Sequence, residues 1–164
     1  MQSSQDQFVS LIQEHSGIIY KIINLYVDDQ EERRDIHQEV LLQAWKSFTR
    51  FEGKSKFSTW LYRVVLNTVL TFRRKSSSAH NSRELMEGDI SYKPASIKDE
   101  SDALLFAVKS LPEVDRSIIT LHLEGYANTE VSEILGISSN HVGVKIHRIK
   151  KVLEEKLKKL GYGS

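Results

Sequence analysis

Three sets of side chains have types and spacings that suit chemistry, and in each the chemistry is binding. Over residues 57–75, Thr59, Trp60, Arg63, Asn67 and Arg74 gather on one flank of a helical pattern, about 120° from an apolar stripe of Phe57, Leu61, Val64, Thr68 and Phe72. A tryptophan among cations suits single-stranded nucleic acid: the cations neutralise phosphate while the ring stacks a base, at about 1–3 kcal/mol per base. The alternative is a core-edge tryptophan beside ordinary surface charges. The second set lies on a helix expected over 139–160, where Asn140, Val144, His147 and Lys151 face away from the core stripe, flanked by His141, Arg148 and Lys150. Asparagine reads adenine, valine touches a thymine methyl, and the cations hold phosphates. The third is Asp35, Gln38, Glu39, Leu42 and Lys46 on one face of a helix beginning near Glu31. Leu42, an aliphatic ringed by polar groups, reads either as an isolated surface leucine or as the anchor of a docking patch for a basic partner.

No catalytic constellation accompanies these sets. The six histidines include no His-Glu-x-x-His or other metal-ligand spacing, and there is neither a phosphate-cradling glycine loop nor a Gly-x-Ser-x-Gly elbow. Asp28-Asp29 and Glu31-Glu32 sit at a helix entrance, where the macrodipole accounts for them. The expectation is a protein that is not an enzyme and needs no cofactor or metal.

The elements that must position these residues are helices. Apolar residues recur at steps of three and four almost throughout, so the fold expected is all-α. Phe8, Leu11, Ile12, Ile18, Ile19, Ile22 and Leu25 mark a first helix over about 6–26, with a bend at Gly17. Ile36, Val40, Ala44, Phe48 and Phe51 form the core face of the next. A third follows a turn at 50–56, with Ser55 or Ser58 as its cap, and runs to about Lys75. Residues 76–100, with Ser76-Ser77-Ser78 and Pro94, have the polar composition of a flexible linker. Two small helical domains, 1–75 and 101–164, are expected on either side of it.

In the second domain, Leu104, Leu105 and Val108 point inward from a helix near 102–110. Pro112 opens another helix at its first position, Ile118, Ile119, Leu121 and Leu123 line it, and Gly125 stops it. Asn128 then caps a short helix, followed by Gly136, Ile137 and a serine cap at Ser138. That order is a helix-turn-helix, whose second helix enters the major groove. Its core stripe is Val142, Ile146, Ile149, Leu153, Leu157 and Leu160. Gly143 interrupts it, at a cost of roughly 1 kcal/mol relative to alanine, which close approach to DNA or to a neighbouring helix would explain.

Charge sharpens the binding reading. The chain of 164 residues has 23 Lys+Arg, 22 Asp+Glu and a net charge of +1. This neutrality is a cancellation: residues 1–45 carry −5, 46–83 carry +8, 84–133 carry −7 and 134–164 carry +5. The basic blocks coincide with the two nucleic-acid sets and point to polyanionic partners. Zero cysteine excludes disulfide frameworks, thiolate zinc sites and cysteine nucleophiles, and suits a reducing cytosol. The polar start, Met1 to Asp6, lacks the features of a signal peptide, and no apolar stretch reaches membrane-spanning length. A cytoplasmic protein without membrane insertion is expected.

Two blocks carry a resemblance. Asp35-Ile36-His37-Gln38-Glu39-Val40-Leu41-Leu42-Gln43-Ala44-Trp45, with Phe51-x-Gly53 and Phe57-Ser58-Thr59-Trp60-Leu61-Tyr62-Arg63, resembles region two of the sigma-70 family of bacterial RNA polymerase sigma factors. Leu111-Pro112-Glu113, then Glu130 to Ser138 and on to His147-Arg148, resembles region four. Together they cover about residues 5–160 and point to the small two-domain extracytoplasmic-function group. The resemblance implies that Asp35, Gln38, Glu39, Leu42 and Lys46 clamp a coiled coil of core RNA polymerase. It implies that Arg50, Lys54, Lys56, Phe57, Thr59, Trp60, Arg63 and Asn67 open the minus-ten element and hold the melted non-template strand. Ser139, Asn140, His141, Val144, His147, Arg148 and Lys151 would then read the minus-thirty-five duplex. The linker would thread the polymerase, chemistry would stay with the polymerase, and an anti-sigma factor is an expected partner. The chain departs from the family at His141 to Arg148, where Thr-Val-Lys-Ser-Arg-Leu-His-Arg is frequent, and at Ala127, where a serine or threonine cap is usual. The expected response is a shift of the cap to Asn128.

Overall fold

The computed structural model describes residues 3–80 and 97–163. All regular structure among them is helical: α1 (Ser4–Glu14), α2 (Ser16–Tyr26), α3 (Gln30–Phe48), α4 (Phe57–His80), α5 (Glu100–Lys109), α6 (Glu113–Leu123), α7 (Asn128–Leu135) and α8 (Ser139–Lys159). The chain divides into two compact units, Met1–Ser82 and Arg83–Ser164. Of the linker expected over 76–100, residues 76–80 continue α4 and 97–99 lead into α5; the remainder lies outside the described residues.

In the first unit α2, α3 and α4 pack on one another. Their core is aliphatic, with Ile19, Ile36, Val40, Leu61, Val65 and Val69 fully buried. Each such side chain contributes about 1.5–3 kcal/mol of burial. The expected first helix is two helices, and the break falls at His15 rather than Gly17. His15 leaves helical geometry (φ −110°, ψ 18°), and its Nδ1 lies 2.9 Å from the Leu11 carbonyl oxygen, which requires the Nδ1–H tautomer. The imidazole thus caps α1 while its ring meets Phe57 at 4.9 Å. Asp29 caps α3 by accepting from the Glu32 N–H at 3.0 Å. Arg73 reaches from α4 to donate to the Tyr26 carbonyl, and Arg33 donates to that of Val27 at 2.7 Å, closing the α2–α3 turn.

The inward face of α4 differs from expectation. Leu61 is buried, but Phe57, Val64, Thr68 and Phe72 are half-buried, and the core is supplied by Tyr62, Val65, Leu66 and Val69. Because α2 and α3 both pack on α4, its buried face is wide, and a wide face has no unique centre in the sequence. Neither Ser55 nor Ser58 holds the cap position: α4 begins at Phe57, and Trp60 N–H donates to the Lys56 carbonyl at 3.1 Å.

In the second unit Ala103, Ala107 and Val108 face inward from α5, while Leu105 is 39% exposed and Leu123, at the end of α6, is 57% exposed. Alanines at these positions let α5 approach α8, so Leu105 turns outward and Leu104, also expected inward, is only half-buried. Pro112 stands at the N-cap of α6, one position before that expected. Ala127, not Asn128, is the N-cap of α7, and Glu130 reaches back to accept from the Ala127 N–H at 3.2 Å. Alanine has no acceptor to return the bond, so half a capping box replaces a whole one. The turn is built as its residues require. Gly136 takes φ +73°, Ser132 donates from Oγ to the Ile137 carbonyl, and Ser138 caps α8 by accepting from the His141 N–H at 3.1 Å.

Val142, Ile146, Ile149 and Leu153 are buried and Leu157 and Leu160 half-buried, as the stripe of α8 predicts. The glycine inside that helix faces α7. A Cβ on Gly143 would meet Asn128 Nδ2 at 3.4 Å, an ordinary van der Waals distance. Gly143→Ala is therefore expected to stabilise the unit by up to about 1 kcal/mol, raising its melting temperature by a few degrees. A lowered melting temperature in thermal unfolding would show that α7 cannot accommodate the methyl group.

Candidate nucleic-acid interface

The helix-turn-helix presents α8 as an open face. Ser139, Asn140, His141, His147, Arg148 and Lys151 are all exposed, and Val144 is 49% exposed among them. The buried stripe lies on the other side of the same helix, so burial and exposure alternate with the 3.6-residue turn. A residue set of amide, imidazoles, one methyl-bearing side chain and cations offers donors, acceptors and an apolar contact within about three and a half turns of the helix N-terminus. Lys145, unflagged in the sequence, borders this face. Its Nζ lies 2.9 Å from Asp115 Oδ1 in the first turn of α6.

The 50–67 set divides in two. Arg50, Lys54, Lys56, Arg63 and Asn67 are exposed; Lys54 pairs with Glu52 at 2.9 Å in full solvent, which fixes little. Phe57 and Trp60 are half-buried members of an aromatic cluster. Trp60 meets Phe51 at 5.3 Å, Phe57 at 5.3 Å and Phe48 at 6.1 Å between ring centroids. Phe8 of α1 extends the cluster by meeting Phe48 at 5.3 Å and Trp45 at 5.1 Å. Thr59, expected on the flank with Trp60, is instead 7% exposed, inside the first turn of α4. The shift has the same cause as the displaced α4 stripe: the inner face is wider than the apolar pattern indicates. The loop is therefore held in shape by tilted and edge-to-face ring contacts, each pair worth about 0.5–1.5 kcal/mol beyond its area.

On α3 the docking set is exposed throughout: Asp35, Gln38, Glu39 and Lys46, with Leu42 at 46%. One turn on, Trp45 is 39% exposed on the same side. Asp35, Glu39 and Gln43 form one wall of a groove of about 560 Å³, and Asn67, Thr71 and Lys75 of α4 form the other. Each wall is a row at i, i+4 and i+8. Gln43 donates to Glu39 Oε1 at 2.8 Å along the first. Asn67 thus joins two surfaces that the sequence kept apart: it lies one turn below Arg63 and also faces the acids of α3. Among the described residues no group of three or more His, Asp or Glu could hold a metal ion, and no helix is long and apolar enough to cross a membrane.

Comparison with known proteins assigns both units. Residues 11–79 match the family model of Sigma-70 region 2, and residues 101–153 that of Sigma-70, region 4. The chain is 29% identical to the RNA polymerase sigma-H factor of Pseudomonas aeruginosa, covering 93% of this chain and 87% of that one. It is 28% identical to the ECF RNA polymerase sigma factor SigW of Bacillus subtilis, covering 95% and 91%. Among solved structures, the fold is similar to that of the sigma factor RpoE in complex with the anti-sigma factor NepR from Bartonella quintana, with a TM-score of 0.74 at 19% identity over 93% of this chain and 97% of that one. It is also similar to that of CnrH in complex with the cytosolic domain of CnrY, with a TM-score of 0.68 at 20% identity over 94% and 90%. With a region-two helical unit and a region-four helix-turn-helix both matched in order along one chain, the protein belongs to the extracytoplasmic-function group of the sigma-70 family of RNA polymerase sigma factors.

Proposed function

We propose that this sigma factor distributes its work among the three surfaces described above. As a member of its family it directs RNA polymerase to promoters, recognising the minus-ten element through region two and the minus-thirty-five element through region four. The α3 face of Asp35, Gln38, Glu39, Leu42 and Lys46 docks core polymerase. Arg50, Lys54, Lys56, Arg63 and Asn67 track the melted non-template strand, with Phe57 and Trp60 supplying the ring surface at its edge and Thr59 supporting the turn from inside. Ser139, Asn140, His141, Val144, His147, Arg148 and Lys151 of α8 enter the duplex major groove. The observation that carries this reading is the exposure of every polar and cationic member of the three sets except Thr59, with the α3 and α8 sets each opposite a buried stripe.

The chain supplies no catalytic group of its own in this reading; bond formation belongs to the polymerase, and the protein works in the cytoplasm. The two structural neighbours were each solved with a protein bound, NepR described as an anti-sigma factor and CnrY through its cytosolic domain. A partner of the anti-sigma class, covering the same faces, is part of the proposal.

Run-off transcription with core polymerase and genomic promoter fragments tests it. Specific transcripts that depend on the added chain are expected, together with co-purification of chain and core enzyme. Duplex binding with no initiation and no core association would reduce the protein to a helix-turn-helix regulator. At residue level, Lys151→Ala is expected to weaken binding to all duplex sequences alike and to flatten the salt dependence by up to about one unit of log K against log salt. Anisotropy titrations over a salt series measure both.

A further inference from the structure

We propose that Asp115 is a positioning residue that limits DNA affinity through Lys145, holding that cation back from DNA phosphates. The inference rests on α8 being the duplex-reading helix. Lys145 stands on α8 between His141, one turn before it, and Arg148, one turn after, both in the DNA-facing set. A free lysine there would reach for the backbone of any duplex that α8 enters. Its ammonium is instead 2.9 Å from Asp115 Oδ1, with side-chain exposures of 32% for the lysine and 21% for the aspartate. Partial burial lessens salt screening of the pair, unlike the exposed Lys54–Glu52 contact.

The surroundings strengthen the reading. Asp115, Lys145, Arg148 and Lys156 line one cleft of about 290 Å³, with Pro112 and Val152 at its side. Asp115 is the one acid among the residues that line it, set against three cations. A carboxylate at the margin of a phosphate-binding face lowers affinity for every sequence equally, because phosphates carry no sequence information. The ratio of specific to non-specific binding is unchanged, since the base-edge contacts of Asn140 and Val144 are untouched; the carboxylate sets the overall affinity and its salt dependence. A pair that only pinned α6 to α8 would act with the opposite sign, because breaking it would weaken binding.

The test uses holoenzyme reconstituted with the full chain, forming closed complexes at low temperature on a promoter fragment and on a random-sequence duplex. Asp115→Asn keeps the side chain's size and removes its charge. It is expected to tighten binding to the random duplex and to steepen the salt slope by about 0.9, roughly a 3.5-fold greater loss of affinity over a fourfold rise in salt. Promoter binding tightens by the same factor, so the preference for promoter over random duplex is unchanged. Lys145→Met leaves the slope at its wild-type value, the double variant returns to that value, and Asp115→Glu, which keeps a carboxylate, preserves the wild-type slope.

If Asp115→Asn and Lys145→Met both weaken binding, or if the Asp115→Asn slope is unchanged, the pair is structural and the inference is overturned. Lys151→Ala in the same series separates this outcome from failure of the underlying assignment. A flattened slope for Lys151→Ala with no effect of Asp115→Asn removes only the role of Asp115. An unchanged slope for Lys151→Ala removes the duplex-reading role of α8 and this inference with it.

Discussion

Leu42→Asp is expected to lower affinity for core RNA polymerase by about a hundredfold or more while leaving helicity unchanged. At 46% exposure Leu42 contributes little to the core, so the unit does not depend on it for folding. The helix around it is anchored elsewhere, by the fully buried Ile36, Val40 and Ala44 on the opposite face and by the Asp29 cap. Replacing leucine by aspartate in a helix costs only about 0.5 kcal/mol of intrinsic propensity. At an interface the balance reverses. A central aliphatic anchor is worth about 2–4 kcal/mol, and a carboxylate in its place must be desolvated without a partner. Every 1.4 kcal/mol is about tenfold in affinity, which sets the expected size. The new charge would also face Glu39, three residues earlier on the same side. Binding of core enzyme by the variant, with circular dichroism as the folding control, decides the matter. Unchanged affinity removes Leu42 from the docking surface, and Leu42→Ala should show an intermediate loss.

Trp60→Ala carries the second large effect, and the structure divides it into two parts. If Trp60 presents ring surface to an unstacked base, its loss costs about 1–3 kcal/mol in promoter opening, or roughly fivefold to more than a hundredfold in the opening equilibrium. Closed-complex binding, which depends on duplex contacts elsewhere, changes much less. The second part is structural. Trp60 contacts Phe48, Phe51 and Phe57, so its removal leaves a gap in the aromatic cluster and lowers the melting temperature. Trp60→Phe separates the parts by retaining a ring in the cluster. Stability close to wild type with a reduced opening signal, read by permanganate reactivity of the minus-ten strand, is expected for that variant. Equal losses in opening and duplex binding for Trp60→Ala would count against base capture.

Much of the binding apparatus was legible because it is local. A serine cap, a left-handed glycine and a stripe at steps of three and four act over one or two turns of helix. The α7–turn–α8 arrangement therefore followed from residues 128–160 alone. The exposure of Asn140, Val144, His147 and Lys151 followed in turn from the burial of Val142, Ile146, Ile149 and Leu153. Asp35, Gln38, Glu39, Leu42 and Lys46 emerged on one face for the same reason. Two local readings missed by a single position: Pro112 and Ala127 are caps, with Glu113 and Asn128 the first helical residues.

The sequence by itself determined the all-α class, the helix-turn-helix, the faces of α3 and α8 that meet solvent, and the segregation of charge into alternating blocks. Only the tertiary structure decided how each helix is rotated where two neighbours compete for it. That is why α4 buries Thr59, Tyr62 and Val65, and why α5 turns Leu105 outward. It also decided contacts between residues distant in sequence: the ring of His15 on Phe57, the cluster that makes Trp60 part of a wall, and the groove that brings Asn67 to Asp35 and Glu39. The Lys145–Asp115 pair, joined across 30 positions, belongs to the same class. The physical reason is one of range. Helical periodicity places a residue on a face, whereas the partner of that face depends on helix crossing and rotation, which are set by the packing of the whole unit.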